Sequence, residues 1–125
     1  MTASLPQPLE QFIARYVDSV ETLETLLLLK RSSETFWMTS AIESHLGLKQ
    51  GNAEKRLQLL LQNEFVVRGM SGGYRYCPKR AEDDVQVSEL AVAYAERRAA
   101  VLNVLFSDNM ARLRAFANAF KVKSE

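Results

Sequence analysis

The chain has 125 residues, 47% of them hydrophobic, with 16 basic and 15 acidic side chains and a formal net charge of +1. That is enough apolar material for a core, but the charge is too balanced for a strong non-specific nucleic-acid binder, so any DNA contact must rest on a local basic patch. A single cysteine, Cys77, excludes an internal disulfide, and a single histidine, His45, leaves too few ligands for a cysteine–histidine metal site.

The start, MTASLPQPLEQ, lacks a basic segment followed by an apolar run, so no signal peptide is expected. The longest apolar run, Leu26 to Leu29, is far too short to span a bilayer. The expectation is a cytoplasmic protein without a membrane segment.

Leu9, Phe12, Ile13, Tyr16, Val17 and Val20 recur at helical spacing. Pro8 suits a first helical position, Asp18 and Ser19 are both good caps, and Asp18 with Glu21 imitates a capping box. The pattern predicts two helices, at about 8–17 and 19–31, with one continuous helix as the alternative. In the second, Leu23 and Leu26 to Leu29 spread apolar surface almost all round, which predicts burial on more than one side. Thr35-Phe36-Trp37 is short and β-prone.

Ser40-x-x-Glu43 fits a capping box at the start of the next helix, whose Ala41, Ile42 and Leu46 should face inward. Gly47 permits a sharp turn. A helix of about Gln50 to Asn63 follows, with Ala53, Leu57, Leu60 and Leu61 on its buried face. Asn63 is expected to end it in the left-handed conformation. Phe65 to Arg68 and Tyr74 to Cys77 read as strands joined by Gly-Met-Ser-Gly-Gly, with Pro78 ending the second. Lys79 to Asp84 reads as a charged linker, which divides the chain into residues 1–80 and 81–125.

Beyond the linker, Val87, Leu90, Ala91, Tyr94, Val101, Leu102 and Leu105 predict one long helix from Asp84 to Phe106. A last helix is expected after Ser107 or Asp108, with Met110, Leu113, Phe116, Ala117 and Phe120 on one face. Tyr94, Leu102, Leu105, Phe106, Phe116 and Phe120 form more apolar surface than a monomer ordinarily leaves bare. They predict a homodimer interface, and packing back on the chain's own Leu-rich helix is the other use of the same surface.

The order from Phe36 to Tyr76 resembles the winged helix-turn-helix superfamily of bacterial transcriptional regulators. The residues that carry it are Trp37, Ile42, Leu46-Gly47-Leu48, Ala53, Leu57, Leu60, Phe65-Val66 and Gly73 to Tyr76. The whole chain is also similar to a group of small bacterial winged-helix proteins. The shared features are Phe-Ile-x-x-Tyr-x-Asp-Ser-Val at Phe12 to Val20, Ala-Tyr-x-x-Arg-Arg at Ala93 to Arg98, and Leu113 to Phe120. The superfamily resemblance implies a mostly α fold with a small β-hairpin wing. It also implies double-stranded DNA binding, dimerisation through outer helices and a role in regulation. Two positions depart from the superfamily: Glu43 stands where a small alanine is usual, and Glu64 where glycine is usual.

On that resemblance the helix at 50–63 would enter the major groove. Gln50, Asn52, Lys55, Gln58 and Gln62 suit base edges, and Lys49 and Arg56 suit flanking phosphates. Arg68 and Arg75 would serve the wing. The same residues also suit a solvated face, and a protein-interaction module without DNA binding is the alternative function. His45 is expected as a surface or turn residue, and Cys77 as a packed one. No glycine-rich phosphate loop and no nucleophile–base set is present in the sequence, so neither a cofactor nor an enzyme activity is expected.

Overall fold

The computed structural model describes residues 5–107. The described chain is mostly helical. Its elements are α1 (Gln7–Tyr16), α2 (Val20–Arg31), α3 (Thr39–Leu46), α4 (Asn52–Gln62), β1 (Val66–Arg68), β2 (Tyr74–Tyr76), α5 (Ala81–Glu96) and α6 (Arg98–Leu105). The last predicted helix, with Met110, Leu113, Phe116, Ala117 and Phe120, lies outside the described residues. Among the described residues no helix is long and apolar enough to cross a membrane. The chain forms two compact units, one of Ser19–Val87 and the other of residues 5–18 with 88–107.

In the first unit α2 is central and packs on α3, α4 and β2. Leu23, Leu26, Leu28 and Leu29 are all buried, as the leucine run predicts. Burying each such side chain stabilises the fold by about 1.5–3 kcal/mol before entropy is charged. The break before α2 is capped by Ser19, one of the two expected caps, and not by the Asp18–Glu21 box. Ser19 is extended, and its Oγ accepts the Thr22 N–H at 3.2 Å. Capping of α3 also departs from expectation. Its N-cap is Met38, with no side-chain cap, and Ala41 is exposed while Ile42 is buried.

Gly47 ends α3 at φ 70°, the left-handed turn its missing Cβ makes inexpensive. Gly51 is also left-handed, at φ 88°, so α4 begins at Asn52, two residues later than expected. At the other end Asn63 keeps φ −88° and the left-handed residue is Glu64, at φ 66°.

β1 and β2 pair antiparallel with Val66 opposite Tyr76, Val67 opposite Arg75 and Arg68 opposite Tyr74. The expected strand at Thr35 to Trp37 is reduced to one bridge, in which Trp37 and Tyr74 exchange both backbone bonds at 2.7 and 2.8 Å. Of the segment read as a linker, Lys79 to Asp84, the part from Ala81 on is the first turn of α5.

In the second unit α6 packs on α1. Leu9, Phe12, Ile13, Val101 and Leu105 are buried there, with Leu90, Ala93 and Tyr94 of α5. The single long helix expected from Asp84 to Phe106 is broken at Arg97, whose φ −137° and ψ 52° are non-helical. No glycine or proline marks this break in the sequence.

Candidate nucleic-acid interface

The exposed side of α4 follows from its buried side. Ala53, Leu57 and Leu60 face the core, which turns Glu54, Lys55, Gln58 and Gln62 to solvent and leaves Asn52, Arg56 and Leu59 half-buried on one flank. Leu61, expected on the buried face, is only half-buried. At the start of the helix, Lys49, Gln50, Gly51, Asn52, Lys55 and Arg56 line an open depression of about 320 Å³. Asn52 Oδ1 and Arg56 Nε are shielded there without a hydrogen-bond partner among the described residues. The structure thus brings together five of the expected site residues: Lys49, Gln50, Asn52, Lys55 and Arg56.

Gln58 has a different task. Its Nε2 donates to Glu54 Oε2 at 2.9 Å and to the Tyr74 hydroxyl at 3.3 Å, tying α4 to β2. Gln62 is exposed two turns beyond Lys55 on the same side of the helix.

Glu43 explains its own departure from the expected small residue. Its Oε2 accepts the Gly51 N–H at 2.8 Å and the Ala53 N–H at 3.2 Å. The N-cap of α4 is a glycine with no side chain to offer, so a carboxylate from α3 does the capping. A negative charge therefore already sits on the positive end of the α4 dipole. An approaching phosphate must be held by side chains and not by the helix terminus.

The hairpin separates its two arginines. Alternation along paired strands places Val66, Arg68, Tyr74 and Tyr76 on one face and Val67 and Arg75 on the other. Val66, Tyr74 and Tyr76 are buried, so the first face is the inner one. Arg68 leaves it at the exposed end, its guanidinium carbon 5.4 Å from the centre of the Tyr74 ring. Since Gln58 of α4 donates to that same tyrosine, Arg68 belongs to the α4 side. Arg75 lies on the outer face, 5.3 Å from the centre of the Phe36 ring.

Two cations just beyond the hairpin are neutralised internally. Lys79 pairs with Glu64 at 3.3 Å. Arg80 pairs with Glu64 and with Asp83, both at 2.7 Å, and donates to the Asn63 carbonyl at 3.1 Å. These donors hold the Glu64 carboxyl below its ordinary value, chiefly through the Lys79 hydrogen bond and then that of Arg80. The Glu64 side chain thus fastens the start of α5 to the end of α4. Nearby, the Tyr76 hydroxyl donates to Asp84 at 2.6 Å and Lys30 reaches the same oxygen at 3.1 Å. Burial, and then the Asp84 bond, push the Tyr76 hydroxyl pKa well up; Asp84 is held low, first by Tyr76 and then by Lys30. Among the described residues Lys49, Lys55, Arg56, Arg68 and Arg75 enter no ion pair.

His45 stands edge-on to Trp37, ring centres 5.7 Å apart. Cys77, expected to be packed, is exposed, although its N–H still donates to the Phe65 carbonyl at 2.9 Å. Of the residues expected at a dimer interface, Tyr94 and Leu105 are already covered within the second unit. Leu102 is half-buried there, Phe106 is exposed, and Phe116 and Phe120 lie outside the described residues. The sequence reading missed Glu43 as a capping group and Phe36 as an exposed ring. The first had a signal, an acid in α3 facing a helix whose own cap position is glycine. Comparison of the chain with protein-family models, with curated proteins and with solved structures found no match.

Proposed function

We propose that this chain is a winged helix-turn-helix protein that binds double-stranded DNA in transcriptional control. In this reading α4 enters the major groove and the β1–β2 hairpin lies beside it as the wing. The observation that carries the reading is the gathering of Lys49, Lys55 and Arg56 with Gln50 and Asn52 at one end of α4, none of the three cations entering an ion pair among the described residues. The unit's other basic cluster, Lys79 and Arg80, is spent. Lysine and arginine there neutralise phosphates and set register, while amide side chains suit base edges. Arg68 extends the cationic surface along the hairpin on the α4 side. Dimerisation through the C-terminal helices would use Leu102 and Phe106, of which the first is half-buried and the second exposed.

The test is binding to a random-sequence duplex, read by fluorescence anisotropy at low and moderate salt. A Lys55→Ala, Arg68→Ala double variant should lose roughly tenfold or more in affinity across sequences, as phosphate contacts do. Lys79→Ala should lose little. Equal affinity in the double variant, or no binding by the wild type, overturns the reading. The second reading, a protein-interaction module of the same shape, is favoured by one observation, the apolar outer face of the hairpin.

A further inference from the structure

Half-buried sheets ordinarily carry apolar side chains inward and polar ones outward. The hairpin does not follow this rule. Its inner face is the core face of Val66, Tyr74 and Tyr76. Its outer face carries Val67, two bare glycine positions and Arg75, and the bridged residue beside it brings Phe36 and Met38 to the same side. The glycines show how closely this face is built. A Cβ on Gly69 would stand 2.9 Å from two Phe36 ring carbons, and one on Gly73 would stand 3.2 Å from the Phe36 Cβ. The Met38 methyl lies 3.9 Å from the Cβ position of Gly72. Phe36 is thus seated on glycine backbone, yet it keeps 46% of its surface exposed, and Met38 keeps 48%. Arg75 lies across the ring, its guanidinium carbon 5.3 Å from the ring centre, and brings a positive charge to this apolar surface.

We propose that the outer face of the hairpin, floored by Gly69 and Gly73 and bordered by Phe36, Met38 and Arg75, docks an acidic amphipathic segment of a partner protein. One apolar side chain of the partner packs on Phe36 and Met38, and a carboxylate meets Arg75. Aromatic, methionine and arginine side chains are the types enriched at the centres of protein interfaces. Charge chooses the occupant. A second copy packed about a two-fold axis would bring its own Arg75, a second positive charge, into the same small patch, because each copy presents the same surface. DNA needs cations spread along a phosphate track, whereas Arg75 stands amid the apolar surface of Phe36 and Met38. A partner with an acid beside an apolar residue satisfies both parts of the patch. The inference is independent of the DNA reading, since Arg68 and the α4 cations lie elsewhere.

The experiment is selection of random short peptides displayed on phage against the full chain, followed by affinity measurement on the Phe36→Ser, Met38→Ser and Arg75→Glu variants, each checked for fold by circular dichroism. The expected result is enrichment of peptides that place Asp or Glu near Leu, Ile or Phe. Their binding should fall at least tenfold in Met38→Ser and Phe36→Ser, and Arg75→Glu should turn the preference to lysine- or arginine-bearing peptides. Duplex binding by Met38→Ser should match the wild type. The proposal is overturned if no peptide is enriched, if the enriched peptides lack acids, or if folded variants bind them unchanged. It is also overturned if Met38→Ser abolishes self-association or DNA binding instead, which would give the face to a second copy or to DNA.

Discussion

Replacing Glu43 by alanine removes both acceptors at the start of α4. The Gly51 and Ala53 N–H groups, now satisfied at 2.8 and 3.2 Å, would be left to water, and Gly51 cannot supply a substitute cap. Loss of an N-cap acceptor costs about 0.5–2 kcal/mol, and loss of a carboxylate at a helix N-terminus costs about 0.3–1 kcal/mol. The two overlap, so the expected destabilisation is about 1–2 kcal/mol. For a unit of this size that lowers Tm by roughly 5–15 °C. Far-UV circular dichroism during heating reads it, with Glu43→Gln as the control. The glutamine keeps an acceptor and loses the charge, so it should fall between wild type and alanine. The charge also opposes DNA at the α4 depression, so Glu43→Gln should bind a duplex more tightly than wild type at low salt while being less stable. An unchanged Tm in Glu43→Ala would refute the capping role, and weaker duplex binding by a folded Glu43→Gln would refute the electrostatic part.

Glu64 holds a left-handed φ of 66° that a side chain opposes and glycine accepts. Its ion pairs with Lys79 and Arg80 are partly exposed and contribute little. Glu64→Gly should therefore raise Tm or leave it unchanged, whereas Glu64→Val should lower it; a clear drop in Glu64→Gly would show that the clamp outweighs the backbone strain. Asp84 and Glu64 both have depressed pKa values in the folded chain. Their contribution to stability is present above the unfolded carboxylate pKa and lost as pH falls through the folded one, so urea midpoints should hold near neutrality and decline below about pH 4. Tyr76 is shifted upward, so its contribution is present below its ordinary value of 10.0 and lost as pH rises beyond it. Tyr76→Phe should remove that alkaline decline. Gly69→Ala places a methyl against the Phe36 ring, so it should shift the Phe36 aromatic resonances and loosen the outer face while leaving α4 unchanged by amide spectra.

Most of the element order was legible because it rests on periodicity and on single decisive residues. Leu23 to Leu29 announced a central helix, Gly47 a turn, and Gly72-Gly73 a hairpin. The misreadings have a common physical form. Asp18 and Ser40 looked like caps because acceptor side chains precede helical runs there. Of the two caps offered before α2, Asp18 and Ser19, the backbone uses Ser19, and at α4 it borrows Glu43 from another helix, a choice made by proximity in space. Asn63 was the better left-handed residue by intrinsic preference, yet Glu64 took the conformation, with Lys79 and Arg80 bound to its carboxylate. Nothing in Ala95-Glu96-Arg97-Arg98 discourages a helix, so the break at Arg97 has no local signal in the sequence. The candidate site was legible as a helix face, but its division was not. Only the strand register shows that Arg68 and Arg75 leave opposite faces, and only the ion pairs show that Lys79 and Arg80 are already engaged.

The salt dependence of binding to duplex DNA tests the central claim most directly. If Lys49, Lys55, Arg56 and Arg68 each neutralise a phosphate, the logarithm of affinity should fall against the logarithm of salt concentration with a slope of about −3 to −4 per chain. The slope should shrink by about one when Lys55 is replaced by alanine, and stay unchanged in Arg75→Ala. A slope near zero, absence of binding at low salt, or an Arg75→Ala effect as large as that of Lys55→Ala would contradict a DNA surface built on α4.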